Sequence, residues 1–595
     1  MSSSSSIDSD MHCCLRIAEI QATIFSSLTP HDCSQLSRTC RLFYEQAMDV
    51  VWADVCSLVP FVKCMPSDVW VQITREITNW PGSYCADIDF IRKPRDSDWR
   101  QSFKHAHRVK RFTDVNHFRD LHDRRQSHPF RGTSYKLTPD ATKTVIRFVC
   151  QWGAEQGFPG LFPGLTRLRV ASGRKTHWLP NHIPFLSGGS LQSFGLDFGL
   201  PFEREFDVYS KVYSPLSDVL LVLRPSWPHL HSLTFSSPYQ ITEEGSRVED
   251  YLEDVIEWVQ ECGELHFFRA DLLLHSELIE SLAALPHLRS LHLKGAQTSE
   301  RNAEIPNLLP SCFRSLSSLK LEVFEPDSPI PILRALRSSI ALTTVDLELT
   351  YRSDDLVSVY SVQTIFETVA EIPLVETFRL QLRGWENSLP ESYPALYGEL
   401  LAMLSPLSRV QHLTLKGFYD TTVTDKDLED AAKAWPKLEI IELDLPRDRD
   451  YFPIMPAPQA TLVGVQSFYN ACPGIKKIIL TVSEKLPMST DNLPLARPRE
   501  SEVENLILGF DTANGSTFAH GSDVYLPKVI RLMFPQLKQF GARAWSEKDW
   551  ATKVETSWTT YRDMDLTKVQ ETSLAMISDM RDEVEHPLNQ SDGDD

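Results

Sequence analysis

The chain has 595 residues, 42% of them hydrophobic and 24% charged, a composition typical of a soluble globular protein but a length too great for one compact core. Its formal net charge of −20 disfavours nucleic acid and anionic membranes as partners, because both are bound by clustered Lys and Arg. No apolar run is long enough to span a bilayer, and residues 1–10 lack the basic and apolar regions of a secretory signal. With no C-x-x-C pair, the cysteines are expected to be free thiols in a cytoplasmic or nuclear, not secreted, protein.

Residues 11–60, which follow a Ser-rich stretch expected to be disordered, are predicted to form a small helical module. Ile17, Ile20, Ile24 and Leu28 recur at near-helical spacing. A new helix is predicted after Thr29, because Thr is a good N-cap and Pro30 suits the first helical position. Three short helices bury little surface, so the module should gain stability by packing against a partner.

Residues 61–114 are interpreted as a linker and N-terminal capping region. They contain the most basic part of the chain, Arg92-Lys93-Pro94-Arg95 and Arg108-x-Lys110-Arg111. Basic and aromatic residues together are compatible with nucleic-acid contact, but the acidic remainder favours the polar outer face of a capping unit.

From residue 163 onwards an L-x-x-L-x-L pattern of apolar residues recurs at intervals of 23 to 39 residues. One copy is weak evidence, but a long series at quasi-regular spacing indicates a leucine-rich-repeat type of solenoid. Proline stands two residues before several copies, and it stops a helix and directs the chain towards a strand. Copies begin at Leu165, Leu191, Leu230, Leu265, Leu288, Leu316, Leu342, Val375, Val410, Leu438, Ile475, Val503 and Leu537.

Helices are predicted between the strands, so the fold class is an α/β solenoid over residues 115–545, with parallel strands on the concave side and helices on the convex side. The segment 546–595 is predicted to be an acidic, partly disordered tail. The predicted helices cover 216–223, 248–259, 278–285, 332–336, 362–369, 396–404 and 426–434, the last one capped by Thr424.

The residues between the apolar positions are predicted to face outwards, because side chains alternate along a strand. Most are expected to be solvated, but as a group they form the candidate target-binding face. Their mixture of charges suits a protein surface better than a polyphosphate. The candidates are Arg167, Arg169, His292, Lys294, Asp346, Glu348, Arg379, His412, Lys416 and Glu442.

The N-terminal residues Ala18-Glu19-Ile20, the stretch 24–32, the stretch 36–44 and Trp52 resemble the F-box motif. Their order before degenerate repeats is similar to that of many fungal F-box proteins with leucine-rich repeats. The family's usual Leu-Pro is replaced here by Arg16 and Ile17, which would weaken docking. The resemblance implies contacts to a Skp-type adaptor through Ile17, Ile20, Ile24, Phe25, Leu28, Pro30, Leu36, Cys40, Phe43 and Trp52, although a three-helix module must bury some of these in its own core.

We therefore expect a non-enzymatic protein without cofactor or metal, because the sequence has no P-loop, H-E-x-x-H, G-x-S-x-G or dinucleotide motif. The resemblance implies a substrate-recognition adaptor of an SCF-type cullin-RING ubiquitin ligase, which binds a Skp-type adaptor, a cullin scaffold and a target protein. The alternative is a repeat scaffold unconnected with ubiquitination, in which the first residues only cap the solenoid. A weaker option is association with nucleic acid through the basic stretch.

Overall fold

In a computed structural model the chain divides into two units, residues 1–271 and 272–595. Each is described separately. The structure describes residues 17–76, 84–113, 134–156, 160–172, 190–198, 223–236, 249–271, 275–295, 312–323, 327–351, 359–384, 396–418, 422–444, 458–483, 503–510, 522–534, 537–544, 555–559 and 562. The predicted disordered start, nearly all of the predicted helix 216–223 and most of the predicted tail lie outside these residues.

Unit 1 begins with three helices, α1 (Ala18–Ser26), α2 (Pro30–Ser37) and α3 (Arg41–Ala53). The predicted restart is confirmed: the side chain of Thr29 accepts a hydrogen bond from the backbone N–H of Asp32 at 3.2 Å. The core of this module contains Phe25, Cys33 and Ala47, surrounded by partly buried apolar residues. The module therefore packs largely on itself.

The segment predicted as a linker is folded, and strands of the large sheet begin before residue 115. Ala86 and Ile88 of its second strand are fully buried, so this segment contributes to the core of unit 1. From residue 54 to residue 113 the chain forms β1 (Asp54–Val55), α4 (Val59–Lys63), β2 (Trp70–Glu76), β3 (Tyr84–Phe90), α5 (Asp96–Ser102), a 3₁₀ segment (Phe103–Arg108) and β4 (Arg111–Thr113). Strand β5 (Ser134–Leu137) and helix α6 (Pro139–Gln156) follow, and β2, β3 and β5 form a three-stranded sheet.

A second sheet of unit 1 is parallel, with the strand order β1, β4, β6, β7, β8, β9. From β6 to β9, strands that follow one another in the chain also pair side by side, because each crossover brings the chain back next to the strand that it has just left. The remaining elements of the unit are β6 (Arg167–Ser172), β7 (Ser193–Phe198), a 3₁₀ helix (Arg224–His229), β8 (Ser232–Ser236), α7 (Glu249–Glu261) and β9 (Phe267–Ala270).

Unit 2 continues the strand–helix alternation, and its strands pair in parallel and in chain order. The predicted α/β solenoid of strand–helix units is therefore confirmed. The elements are α8 (Ser276–Ala284), β10 (Ser290–Lys294), β11 (Ser318–Val323), α9 (Pro329–Ala335), β12 (Thr344–Tyr351), α10 (Val359–Ala370), β13 (Thr377–Gly384), α11 (Gly398–Met403), β14 (His412–Lys416), α12 (Asp425–Ala434), β15 (Ile440–Asp444), α13 (Leu462–Ala471), β16 (Lys477–Val482), β17 (Asn505–Phe510), α14 (Ser522–Met533) and β18 (Gln539–Ala544).

The repeating unit is defined by burial and by a backbone hydrogen-bond pattern at the start of most of the parallel strands. Every residue of the L-x-x-L-x-L pattern whose side chain is described is buried, because the pattern alternates on one side of a strand. Two successive N–H groups then donate to one carbonyl of the preceding strand. The N–H groups of Glu376 and Thr377 reach the carbonyl of Thr343 at 2.8 and 2.9 Å, and those of Thr166 and Arg167 reach that of Lys110 at 2.9 and 3.0 Å.

The cap predicted for the helix that follows Thr424 is confirmed. Thr424 and Asp427 form the predicted cap at the start of α12, with the Thr424 hydroxyl accepting from the Asp427 N–H.

Among the described residues, no helix is both long and apolar enough to cross a membrane.

Candidate docking surfaces

The helical module presents a small exposed apolar surface. Ile17 is 46% exposed and Ile24 39% exposed, both on or next to α1, while Leu42 at the start of α3 is 43% exposed. Exposed large apolar side chains on a module this small suit contact with another protein. Leu42 was not among the predicted docking residues, although its position after Arg41 in the F-box-like stretch was a usable signal.

Several residues predicted to contact an adaptor instead form the module's own core. Phe25 is 3% exposed and packs edge-to-face on Phe43, with ring centroids 5.8 Å apart. Leu28 and Leu36 are partly buried against the same core. Trp52 is 7% exposed and packs on Phe61, with centroids 5.0 Å apart.

The remaining predicted docking residues differ in exposure. Ile20 and Cys40 are half-buried, and Pro30 is exposed. The docking role of all these residues stays a prediction.

A buried arginine attaches the module to the rest of unit 1. The guanidinium of Arg108, in the 3₁₀ segment before β4, pairs with the carboxylates of Glu45 and Asp49 on α3. It also donates to the backbone carbonyl of Glu45 at 2.9 Å. Bidentate and multiple donors of this kind are what a guanidinium offers and an ammonium does not. Part of the predicted basic stretch is therefore internal structure and unavailable to nucleic acid.

Aromatic packing adds to this attachment. Trp52 stacks on His105, and Tyr44 lies close to the same imidazole, with ring centroids 6.5 Å apart. Burial lowers the pKa of His105 below its ordinary value, and the charges of Arg108 and Lys104 lower it further. The imidazole at this junction is therefore held in its neutral form at neutral pH.

The predicted target-binding residues all lie on parallel strands of unit 1 or unit 2, at positions that alternate with buried ones. In unit 1, Arg167 and Arg169 of β6 are exposed. In unit 2, the predicted residues His292, Lys294, Asp346, Glu348, Arg379, His412, Lys416 and Glu442 belong to β10 and β12 to β15 and are half-buried or exposed.

The registers of unit 2 arrange these charges in rows across the strands. One row runs from His292 to Lys320, Asp346 and Arg379, and the next runs from Lys294 to Glu322 and Glu348. Lys416 of β14 forms an ion pair with Glu442 of β15 at 2.9 Å. Neighbouring opposite charges stabilise adjacent strands, so part of this face serves the fold itself.

Glu322 and Glu348 are register partners on adjacent strands, yet their environments differ. Glu322 receives His292 Nε2 at 3.0 Å, Lys320 Nζ at 2.8 Å and Lys294 Nζ at 3.4 Å. Burial alone would raise the pKa of Glu322, but the hydrogen bonds from His292 and Lys320 and the charges of both lysines outweigh it and lower the pKa well below the usual range.

Among the described residues, the ion pair of Glu348 is with Arg383, whose Nε lies 3.0 Å from its carboxylate. Burial raises the pKa of Glu348; the charge of Arg383 opposes this rise and that of Glu322 reinforces it. The pKa values of the two carboxylates are therefore shifted in opposite directions from the ordinary value of a glutamate.

The geometry defines a three-helix module followed by stacked strand–helix repeats with charged outer rows. Residues 18–57 match the family model described as F-box-like, so the chain carries an F-box-like domain at its helical module. The match spans α1 to α3 and β1.

Comparison with curated proteins finds no match. Among solved structures, a protein from Bacteroides fragilis matches at 13% identity, over 49% of this chain and 66% of that one, with a TM-score of 0.24. A TM-score this low indicates neither a shared fold nor a shared function.

Proposed function

We propose that this protein is the target-recognition subunit of an SCF-type cullin-RING ubiquitin ligase and has no catalytic activity of its own. The observation that carries the proposal is the F-box-like match at residues 18–57, because F-box domains generally bind Skp-type adaptors. The order of F-box-like domain and strand–helix repeats resembles fungal F-box proteins with leucine-rich repeats. The repeats would then hold the target protein.

The proposed mechanism is positioning. A target held on the outer rows of the strands is kept near a ubiquitin-loaded enzyme carried by the cullin scaffold, which raises the effective concentration of its lysines. A flexible connection between the helical module and the rest of the chain would lower this effective concentration. The contacts of Arg108 and Trp52 with neighbouring parts of unit 1 support the proposal, because they fix the end of α3 within that unit.

The docking surface proposed for the adaptor is the exposed apolar group Ile17, Ile24 and Leu42. These side chains are available to a partner, whereas Phe25 and Trp52 are not. Half-buried residues of the predicted set, such as Leu28, would contribute by supporting this surface from below.

Co-purification tests the proposal: the full chain is co-expressed with a Skp-type adaptor and isolated by a tag on the chain. We expect the adaptor to be recovered with wild type and lost with Ile24→Asp, because a buried carboxylate at the interface is unfavourable. The matched control is Ile340→Asp, since Ile340 of unit 2 is 80% exposed. It should retain the adaptor. Failure of wild type to recover the adaptor, or equal recovery by both variants, would refute adaptor docking.

A repeat scaffold unconnected with ubiquitination is the second candidate. It is favoured by the packing of Trp52 and Tyr44 against His105, since part of α3 does cover another segment of unit 1. In that case the module would be a terminal cap. Adaptor recovery at stoichiometric level decides between the two candidates.

A further inference from the structure

One register row of unit 1 has an arginine at each end and small residues between them. The row runs from Arg169 of β6 to Gly195 of β7, Thr234 of β8 and Arg269 of β9. These residues face away from the core, because Leu168, Leu233 and Phe268, which alternate with them, are fully buried. Gly and Thr between the arginines leave a shallow trough across the two middle strands.

The edge of the trough on β6, called the first rim, carries positive charge that does not stabilise the pairing of the strands. Arg111 of β4 and Arg167 of β6 are register partners, and like charges directly opposite each other destabilise a strand pair. Arg111 pairs with Asp54 at 3.2 Å. Arg167 is exposed, and no ion pair to it is found in the described part of the chain.

The two arginines of the row are placed to act on the trough. Arg169 extends over β7: a Cβ on Gly195 would lie 3.1 Å from Arg169 Cγ, so the glycine makes room for this side chain. On the other rim, Arg269 is half-buried, and no ion pair or hydrogen bond of its guanidinium is found among the residues that the structure describes. Its Nε is covered by protein, so a bound carboxylate would be held by the terminal guanidinium nitrogens and would supply the acceptor that they lack.

The distance between the rims selects the ligand. Three strand spacings separate β6 from β9, which is about 14 Å at roughly 4.8 Å per strand. A single small anion reaches one rim only. An extended peptide advances about 3.3 Å per residue, so carboxylates four residues apart lie about 13 Å apart.

We propose that this trough binds an acidic segment of a partner protein, extended across the strands, with one carboxylate on Arg169 and another, four residues away, on Arg269. Arg167 adds long-range attraction for such a segment. The inference rests on the proposed target recognition and names the target class, an acidic extended peptide. Its binding step requires no adaptor.

Fluorescence anisotropy with the full chain tests the inference. The probe is a fluorescein-labelled peptide, Gly-Glu-Ser-Gly-Ser-Glu-Gly, compared with one in which the two Glu are adjacent. We expect the spaced peptide to bind more tightly, and the double change Arg169→Ser and Arg269→Ser to weaken its binding at least about tenfold. Arg409→Ser, which removes an exposed arginine from the turn before β14 of unit 2, is the matched control and should leave the affinity unchanged.

A second variant distinguishes the effect of the trough's shape on peptide binding from the effect of its positive charge. Gly195→Val keeps every arginine but fills the space beside Arg169, and it should weaken the spaced peptide while circular dichroism stays unchanged. Equal affinity for both peptides, equal loss with Arg409→Ser, or no binding by wild type would overturn the inference. Recovery of the Skp-type adaptor is scored in parallel, so that failure of adaptor docking with retained peptide binding counts against the ligase proposal alone.

Discussion

The indole of Trp52 stacks on the imidazole of His105, with ring centroids 5.2 Å apart and ring planes inclined by 16°. Trp52 lies in the last turn of the third helix of the F-box-like module, and His105 belongs to the 3₁₀ segment before β4. Nδ1 of His105 is buried without a hydrogen-bond partner in the described ranges. The contact is therefore maintained by packing and is sensitive to a proton on the imidazole.

Stability at this junction should depend on pH. The pKa of His105 lies below its ordinary value of 6.5, so the unfolded chain binds this proton more tightly than the folded chain. Stability is complete above about pH 6.5 and falls as the pH drops towards the folded pKa. We expect the thermal midpoint to be lower at about pH 5.5 than at about pH 7. His105→Phe should reduce this difference.

Differential scanning calorimetry on both proteins measures this pH dependence. The matched control is His31→Phe, which changes an exposed histidine of α2 and should leave the wild-type slope intact. An identical slope in wild type and His105→Phe would contradict the role given to His105.

The solenoid could be predicted from the sequence because one-sided burial of a strand imposes an alternation that recurs thirteen times in this chain. The three-stranded sheet could not, since β3 pairs with β5 across many intervening residues, and the alternation of apolar and polar residues from Ala86 to Phe90 does not identify that partner. Ile24 and Phe25 show a second limit. Both are apolar neighbours on one helix, and only the packing of α3 decides that Phe25 is core and Ile24 is exposed.

The alternation of side chains along each strand predicts which residues face outwards. It does not predict which outward residues of different strands lie side by side. Arg169 was singled out from the sequence, whereas Arg269 was not, because only the registers of β6 to β9 place them in one row. Strand pairing depends on contacts distant in sequence, and the intervals between repeats vary too much to fix it.

A tryptophan near the C-terminus should be essential for unit 2. Trp558 lies in a helical turn at 555–559, within the segment predicted as a tail, and is 2% exposed. Its ring packs edge-to-face on Phe540 of β18, with centroids 5.7 Å apart. The end of a repeat array needs such a cover. Trp558→Ala should lower the free energy of unfolding by about 3–5 kcal/mol, measured in urea.

The control for Trp558→Ala is Trp558→Phe, which keeps an aromatic ring on Phe540 and should retain most of the stability. A chain that ends at residue 545 should resemble Trp558→Ala. An alanine variant within about 0.5 kcal/mol of wild type would show that this turn is dispensable.

Gly464 should tolerate no side chain, because an aspartate of the preceding repeat occupies the space. Asp425 Oδ1 accepts from the N–H groups of Thr461 at 2.6 Å and Gly464 at 3.0 Å, and so caps α13 from α12. A Cβ on Gly464 would lie 2.6 Å from that oxygen. Gly464→Ala should therefore lower stability by about 1–3 kcal/mol, although alanine ordinarily favours a helix.

Thermal unfolding of matched glycine variants tests this clash. Gly474→Ala is the control, since its nearest neighbour, Glu439 Cγ, would be 3.8 Å away and no rearrangement is required. A more stable Gly464→Ala protein would mean that Asp425 moves aside without cost.

Neutralising the two register partners Glu322 and Glu348 should have opposite effects at pH 7. Glu322→Gln leaves His292, Lys294 and Lys320 facing one another without their common carboxylate, and should cost about 1–3 kcal/mol. Glu348→Gln removes a carboxylate whose pKa is raised and relieves repulsion with Glu322. Because Arg383, at 55% exposed, remains solvated, that variant should match or slightly exceed wild type in stability.

The pH dependence of the same pair provides an independent measurement. The pKa of Glu322 is lowered from 4.5, so its contribution is complete above pH 4.5 and is lost as the pH falls further. The pKa of Glu348 is raised, so its stabilising contribution exists below pH 4.5 and disappears as the pH rises through the folded value. In urea titrations, Glu322→Gln should flatten the acid limb of the stability curve. If both variants lower the free energy of unfolding equally at pH 7, the two carboxylates do not differ in their contribution to stability and the prediction is wrong.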